Sequence, residues 1–268
     1  MGSGGAFKSA SGRILSWLAI AAALTSAAHA SPWARFDGEL LVISSTKYFQ
    51  GDSPDDPADG VFESVDSDTH IEFGLTEDIT IGGKVIYGTS WLANSAGNFS
   101  DSGFSEVEGF AQYQFLRDIR QAASVKLSAG KPAAFQSGAR PSLSAGGADV
   151  ELGGLYGRNL LFEPVKIFAA GEIGFRKRIG DAADVMRTQG TLGVEPGRHW
   201  VLLFETFSVT SLRNENDSGA DYDIVKIQPS VIYRFNRRWA VQAGMTEDVS
   251  VRNVAPGRTY FIGFWSAF

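Results

Sequence analysis

Beyond residue 35, hydrophobic and polar residues alternate with period 2 along most of the chain. The last stretch, Arg258 to Phe268, shows the pattern plainly. Tyr260, Ile262, Phe264, Ser266 and Phe268 fall on one face, and Thr259, Phe261, Gly263, Trp265 and Ala267 on the other. Such alternation marks a strand whose two faces meet different surroundings. An aromatic-rich strand left as a free edge in water would pair with other chains. It needs a partner strand and an apolar surrounding. A closed barrel in lipid supplies both, because closure removes the edge and lipid covers the outward side.

The same reading along the whole chain predicts twelve strands. The first six run at about Phe36–Tyr48, Ser67–Leu75, Ile79–Trp91, Phe104–Phe115, Ala122–Ala133 and Asp149–Tyr156. The second six run at about Val165–Arg176, Val185–Val194, Trp200–Thr210, Tyr222–Phe235, Trp239–Ser250 and Arg258–Phe268. Tight turns fall at Thr76–Asp78, Leu116–Asp118, Arg158–Asn159, Glu195–Gly197 and Asn236–Arg238. They alternate with longer polar segments at Gly51–Val61, Ala93–Gly103, Gln136–Gly147, Ile179–Ala183, Arg213–Gly219 and Asn253–Gly257. The fold class is therefore all-β, a transmembrane antiparallel up-and-down barrel. An even strand count places both termini on one side, which in an outer membrane is the periplasmic side, with the short turns.

Strand seven gives the clearest lipid-facing set: Val165, Ile167, Ala169, Gly171, Ile173 and Phe175. Strand ten gives Val225, Ile227, Val231, Tyr233 and Phe235, interrupted by Pro229, a residue that marks an edge or a bulge. Phe73, Tyr113, Phe115, Trp200, Tyr233, Phe235, Trp239 and Phe268 cluster beside the predicted turns. That position suits an interfacial girdle, with Tyr48, Tyr87, Trp91 and Phe175 in the opposite one.

The amino terminus fits the same destination. Lys8 and Arg13 precede an apolar run, Ile14 to Thr25, and Ala28-His29-Ala30 is an A-x-A cleavage pattern before Ser31. Residues 1–30 read as a secretory signal peptide, leaving a barrel domain over 31–268. The run is too short for a membrane-spanning helix, which takes about 20 apolar residues. The absence of cysteine excludes disulfides, a lipid-modified cysteine anchor and thiolate metal sites. Loss of the signal removes two of the 24 basic residues and none of the 30 acidic ones, for a mature net charge of −8. That balance argues against nucleic acid as a partner.

The terminal strand resembles the carboxy-terminal signal of Gram-negative outer-membrane barrels. Tyr260, Ile262, Gly263, Phe264 and Phe268 match it, and Ser266 departs from it where a hydrophobic residue is usual. The resemblance implies porin- or transporter-like barrels, with outer-membrane lipid and the barrel-assembly machinery as partners. The segment Glu72–Gly82 (EFGLTEDITIG) also resembles uncharacterised porin-like proteins, including those grouped with aromatic-compound degradation, which implies a transport role.

The inward face carries the candidate chemistry. Its parity selects Glu39, His70, Glu72, Lys84, Glu106, Glu108, Lys126 and Glu151, then Lys166, Glu172, Arg176, Arg187, Glu205, Lys226, Arg234 and Asp248. Signs largely alternate between neighbouring strands, and opposite charges on adjacent strands attract. Two readings remain open. Lys84, Glu106, Glu108, Lys126, Glu151, Lys166, Glu172, Arg187 and Lys226 line a narrow water-filled path for small solutes. Alternatively, the same charges pair off and close the lumen, leaving a structural barrel that acts through its loops. Enzymatic chemistry finds little support. His70 and His199 stand without the serine arrangement of a barrel hydrolase, and no P-loop or H-E-x-x-H element is present. Neither a cofactor nor a metal site is expected. Asp52, Asp55 and Asp56 match no calcium loop and read as solvated charge.

Overall fold

The computed structural model describes residues 31–52, 60–95, 97–131, 148–179, 183–212 and 221–268. The expected signal peptide lies outside the described residues, as do Asp55, Asp56 and the centres of the expected loops 136–147 and 213–219. The described residues form twelve antiparallel strands and no helix. These are β1 (Leu40–Asp52), β2 (Val61–Gly74), β3 (Ile79–Asn94), β4 (Gly97–Arg117), β5 (Gln121–Lys131) and β6 (Ala148–Leu161). They continue as β7 (Lys166–Ile179), β8 (Val185–Glu195), β9 (Trp200–Ser211), β10 (Asp223–Arg234), β11 (Trp239–Arg252) and β12 (Gly257–Ala267).

Each strand pairs with its sequence neighbours, and β1 closes on β12 from Leu41↔Ala267 to Gly51↔Gly257. Closure leaves no free edge among the described strands. The start of β1, the carboxy-terminal Phe268 and the five short turns lie at one end of the barrel, here the turn end. The opposite end is the loop end.

Three expectations need correction. The turn expected at Arg158–Asn159 lies within β6, whose ladder with β7 runs on to Leu161, and the turn falls at 162–165 instead. The first strand begins at Leu40, not Phe36. Residues Phe36–Glu39 form a turn instead, with Gly38 in the left-handed region at φ 75° and the Glu39 N–H donating to the Phe36 carbonyl. Glu39 accepts a bond from the Phe36 N–H through its carboxylate and does not belong to the lumenal strand face. The expected loop Ala93–Gly103 is a continuation of the β3–β4 hairpin, paired from Leu92↔Phe99 through Asn94↔Gly97. Its Asn, Ser and Asp residues read as loop because both faces are polar. A ladder that projects beyond the bilayer meets water on both sides and needs no alternation.

The outward face is apolar and exposed through the middle of the wall. Ile71, Val85, Val107, Leu127, Leu152, Ile173, Leu202, Val231 and Ile262 all point away from the lumen. An apolar band encircling a closed barrel is a lipid-facing surface. At the turn end, Tyr233 packs against Trp200 and Phe235 at ring-centroid separations of 4.8 and 5.2 Å, and Trp239 packs against Phe264 and Phe268 at 5.2 and 5.6 Å. Ser266, the departure within the terminal strand, lies opposite Trp239, is covered, and bonds the Val42 carbonyl through its hydroxyl. Pro229 faces outward where the β10–β11 ladder skips from Ile227 to Ser230, so its missing N–H is not needed there.

The buried core lies inside the barrel, at the turn end. Leu41, Ile43, Phe168, Val201, Leu203, Ile232, Ala240, Trp265 and Ala267 form one apolar cluster, all on inward-facing positions. The indole N–H of Trp265 donates to Gln242 Oε1 at 3.1 Å, and Gln242 in turn donates to Ser230 Oγ at 2.9 Å. Trp265, Gln242 and Ser230 thereby satisfy one another within the packed region.

Candidate functional site: a charged chamber above a packed floor

The residues that precede β1 turn back into the lumen. Gln112 donates to the Ser31 carbonyl at 3.0 Å, Ser124 to the Pro32 carbonyl at 2.5 Å, and the Ala34 N–H to Gln114 Oε1 at 2.9 Å. The Arg35 N–H donates to Thr80 Oγ1 at 2.8 Å, and the Arg35 guanidinium pairs with Glu72. All of these partners lie on the inward faces of β2 to β5. On β6, Gly157 makes room for the segment, because a Cβ there would meet Pro32 and Trp33 at 2.6 Å. Segment 31–36 thus covers the β2–β6 side of the turn end, and the apolar cluster fills the rest. Together they form a floor across the barrel.

Above this floor is a chamber of about 380 Å³. Five cationic side chains line it, Lys47, Lys84, Lys126, Arg187 and Lys226, with five anionic ones, Asp68, Glu72, Glu108, Glu151 and Glu172. The charges are bonded in pairs, some across neighbouring strands and others over an intervening one, as where Lys126 on β5 reaches Glu172 on β7 past Gly153 on β6. Lys84 meets Glu106 at 2.9 Å, Lys126 meets Glu172 at 2.5 Å, Lys47 meets Asp68 at 2.6 Å and Lys226 meets Asp248 at 3.0 Å. Arg176 is the hub of the largest group. It reaches Glu151 at 2.6 Å, Glu108 at 2.8 Å and Asp149 at 3.5 Å, and Arg187 reaches Glu151 at 3.0 Å. Arg176 lies directly across from Glu151, and the Glu151 carboxylate fits over the diagonal neighbour Gly174, where a Cβ would lie 2.6 Å from Glu151 Oε1.

The chamber is two-sided. Most of the charge lies on β1 to β8. The wall formed by β9 to β12 offers Phe207, Val209, Gln228, Thr246, Thr259 and Phe261, with Lys226 as its cation. Glu205 lies on this side too, buried and accepting from Gln228 at 2.8 Å. On the charged side, Phe110 stacks on His70 at 5.7 Å, and Lys126 lies over the same ring.

Of the nine residues assigned to the solute path, Lys84, Glu108, Lys126, Glu151, Glu172, Arg187 and Lys226 border the chamber. Glu106 sits beside it through Lys84. Lys166 lies lower, in the floor, where it pairs with Glu195 at 3.0 Å alongside Arg234 at 2.8 Å. The sequence reading passed over Lys47, although it falls within the expected first strand on the parity of Glu39, and Glu195, which reads as a turn residue but ends β8. Arg35 and segment 31–36 carry no periodic signal, so nothing in the sequence places them in the lumen. Phe110, Phe207 and Phe261 were missed because an inward face was taken to be polar.

The two histidines hold structural bonds. His70 Nε2 lies 3.0 Å from Glu72 Oε1, and His199 Nδ1 lies 2.8 Å from the Arg234 carbonyl. Among the described residues no group of three or more His, Cys, Asp or Glu is placed to hold a metal ion.

No family model and no curated protein matches the sequence. Solved structures do match in fold. The COG4313 outer membrane channel from Pseudomonas putida F1 superposes with a TM-score of 0.70 at 13% identity, over 89% of this chain and 98% of that one. The translocator domain of the autotransporter NalP from Neisseria meningitidis gives 0.56 at 14% identity, over 96% and 95%. The NanC porin gives 0.54 at 9% identity, over 84% and 98%. The chain shares the fold of outer-membrane barrels.

Proposed function

We propose that this protein is an outer-membrane channel through which small solutes diffuse, with both termini and the turn end in the periplasm. The observation that carries the reading is the charged chamber of about 380 Å³ inside the wall. A barrel whose only task is structural would gain little from holding a hydrated, charge-lined space. Fixed charges in such a space replace part of a solute's hydration shell. Because cations and anions are balanced, selection rests on size and on the pairing of polar groups more than on net sign. Two structures of like fold are described as an outer membrane channel and a porin, which lends the reading support. In this reading residues 1–30 direct export, and Tyr260, Ile262, Phe264 and Phe268 present the outward aromatic strand to the barrel-assembly machinery.

Passage requires the floor to yield. Segment 31–36 is held by single hydrogen bonds and one ion pair, whereas the apolar cluster is part of the wall, so the segment is the movable part. A second reading has its own support in the packed floor: a closed barrel that acts through its loop end. Single-channel recording of the refolded chain 31–268 in planar bilayers separates the two. Stable conductance whose ion selectivity changes with Lys84→Glu or Glu108→Lys supports the channel. A folded, heat-modifiable barrel that never conducts refutes it and leaves the closed barrel.

A further inference from the structure

Two of the five turns differ from the rest in charge. Residues 196–199 and 235–238 carry Arg198, Arg237 and Arg238, all exposed, and no acidic residue. The other turns hold Glu77 and Asp78, Asp118 with Arg120, and Glu163, so each carries at least one acidic residue. The turn-end rim is therefore polarised, with its cationic sector over β8 to β11.

That sector is built rigidly. β9 and β10 pair directly, so the two turns are neighbours. The Arg234 N–H donates to the His199 carbonyl at 2.7 Å, and the His199 ring bonds back to the Arg234 carbonyl at 2.8 Å. Asn236 Oδ1 accepts from the N–H groups of Arg238 and Trp239 at 2.7 and 3.0 Å, which fixes the second turn. Directly beside the arginines, on the lipid face, stands the packed group Trp200, Tyr233 and Phe235. Amphipathic rings of this kind settle at headgroup depth. Cations held at that depth meet phosphate before they meet water-borne partners.

We propose that this sector binds the phosphodiester headgroup of an anionic phospholipid in the adjoining leaflet, which is the periplasmic leaflet under the orientation proposed above. Guanidinium groups match phosphate oxygens through paired N–H donors, and three on locked neighbouring turns act together. The aromatic group receives the upper acyl region of the same lipid. Arg234, although close in sequence, faces the lumen and pairs with Glu195, so it takes no part.

The test is native mass spectrometry of the chain 31–268 released from mixed micelles of phosphatidylcholine with phosphatidylglycerol as the anionic probe. The wild-type barrel is expected to retain phosphatidylglycerol preferentially. Combined Arg198→Gln, Arg237→Gln and Arg238→Gln should weaken that retention on the order of tenfold. The three Arg→Lys replacements should retain part of it. A control carrying Arg120→Gln and Arg158→Gln, on the opposite sector of the rim, should match wild type. All the substituted residues are exposed, four in turns and Arg158 on the outward face of β6, and heat-modifiable gel mobility checks that each variant folds. Equal retention by wild type and the glutamine triple variant overturns the site, and so does an equal loss in the control, which would mean diffuse charge. Wild-type binding that inorganic phosphate abolishes at equal concentration overturns the lipid in favour of free phosphate. The measurement is independent of conductance and of sidedness. Gly197→Cys, labelled in intact and in permeabilised cells, tests the orientation separately.

Discussion

Replacing Trp265 with alanine asks how much of the barrel's closure is due to its apolar floor. The indole is fully buried within the cluster that contains Leu41, Val201 and Ile232. Its partners directly across the strand pairs are Ile43 on β1 and Ala240 on β11. Alanine at 240 cannot swing into the space, and the inward neighbour along β12 is Gly263, so the cavity left by Trp265→Ala stays largely open. Removing a buried tryptophan costs about 3–5 kcal/mol when the site cannot collapse. Gln242 Oε1 also loses its donor, which adds about 1–3 kcal/mol if the space stays dry. Entry of water would satisfy Gln242 and keep the total near the lower figure. The same water would thin the floor, so the variant should also conduct more than wild type. Urea-dependent folding equilibria in lipid vesicles, followed by gel mobility, give the first quantity, and planar-bilayer recording gives the second. A loss below about 1 kcal/mol with unchanged conductance would refute the claim that this cluster closes the barrel.

Three further predictions concern the segment, the charged wall and one turn. Arg35→Gln removes the cation that holds segment 31–36 to Glu72, at a local cost of about 3 kcal/mol because Glu72 remains buried. Limited proteolysis from the turn end and conductance should both rise, and unchanged protection would show that the backbone bonds alone hold the segment. Glu151→Gln takes one negative charge from between Arg176 and Arg187. Arg176 keeps Glu108 and Asp149, so stability should fall by only about 1–3 kcal/mol, while the reversal potential in a salt gradient moves toward anions. An unmoved reversal potential would take these residues off the ion path. Asp118 accepts bonds from the backbone N–H groups of Arg120 and Gln121 at 2.6 and 2.9 Å, and these hold its carboxyl below the usual carboxylate range. A depressed native pKa contributes stability that is present above the unfolded value, about 3.9, and is lost as pH falls through the lower native one. Amide-exchange protection of the β4–β5 turn should therefore decline below about pH 4 in the wild type but not in Asp118→Asn, whose carbonyl still accepts. Identical pH profiles would exclude this carboxylate as the cause.

Much of the architecture was legible in the sequence. The alternation of Ile167, Ile173 and Phe175 against Lys166, Glu172 and Arg176 marked which side of strand seven faces lipid, because a period of 2 assigns every residue of a strand to a face once one is known. The even series of strands and short turns followed from the same rhythm, and so did the pairing of Lys84 on β3 with Glu106 on β4, since adjacent strands in an up-and-down barrel are adjacent in sequence; the reach of Lys126 on β5 over β6 to Glu172 on β7 did not. Where alternation was absent, the reading failed. The extension of β3 and β4 past the bilayer has two polar faces and looked like loop.

Only the tertiary structure decided what lies inside. Parity says that Trp265 and Glu151 both point inward. It does not say that the first lies in a dry floor and the second in a chamber, because depth along the barrel depends on register summed around the closed wall. Nor does any periodic signal bring Arg35 to Glu72. That contact joins an irregular segment to a strand face 37 residues away. It exists because the closed wall presents Glu72, Thr80, Gln112, Gln114 and Ser124 to one space, and the segment before β1 is the nearest chain able to satisfy them.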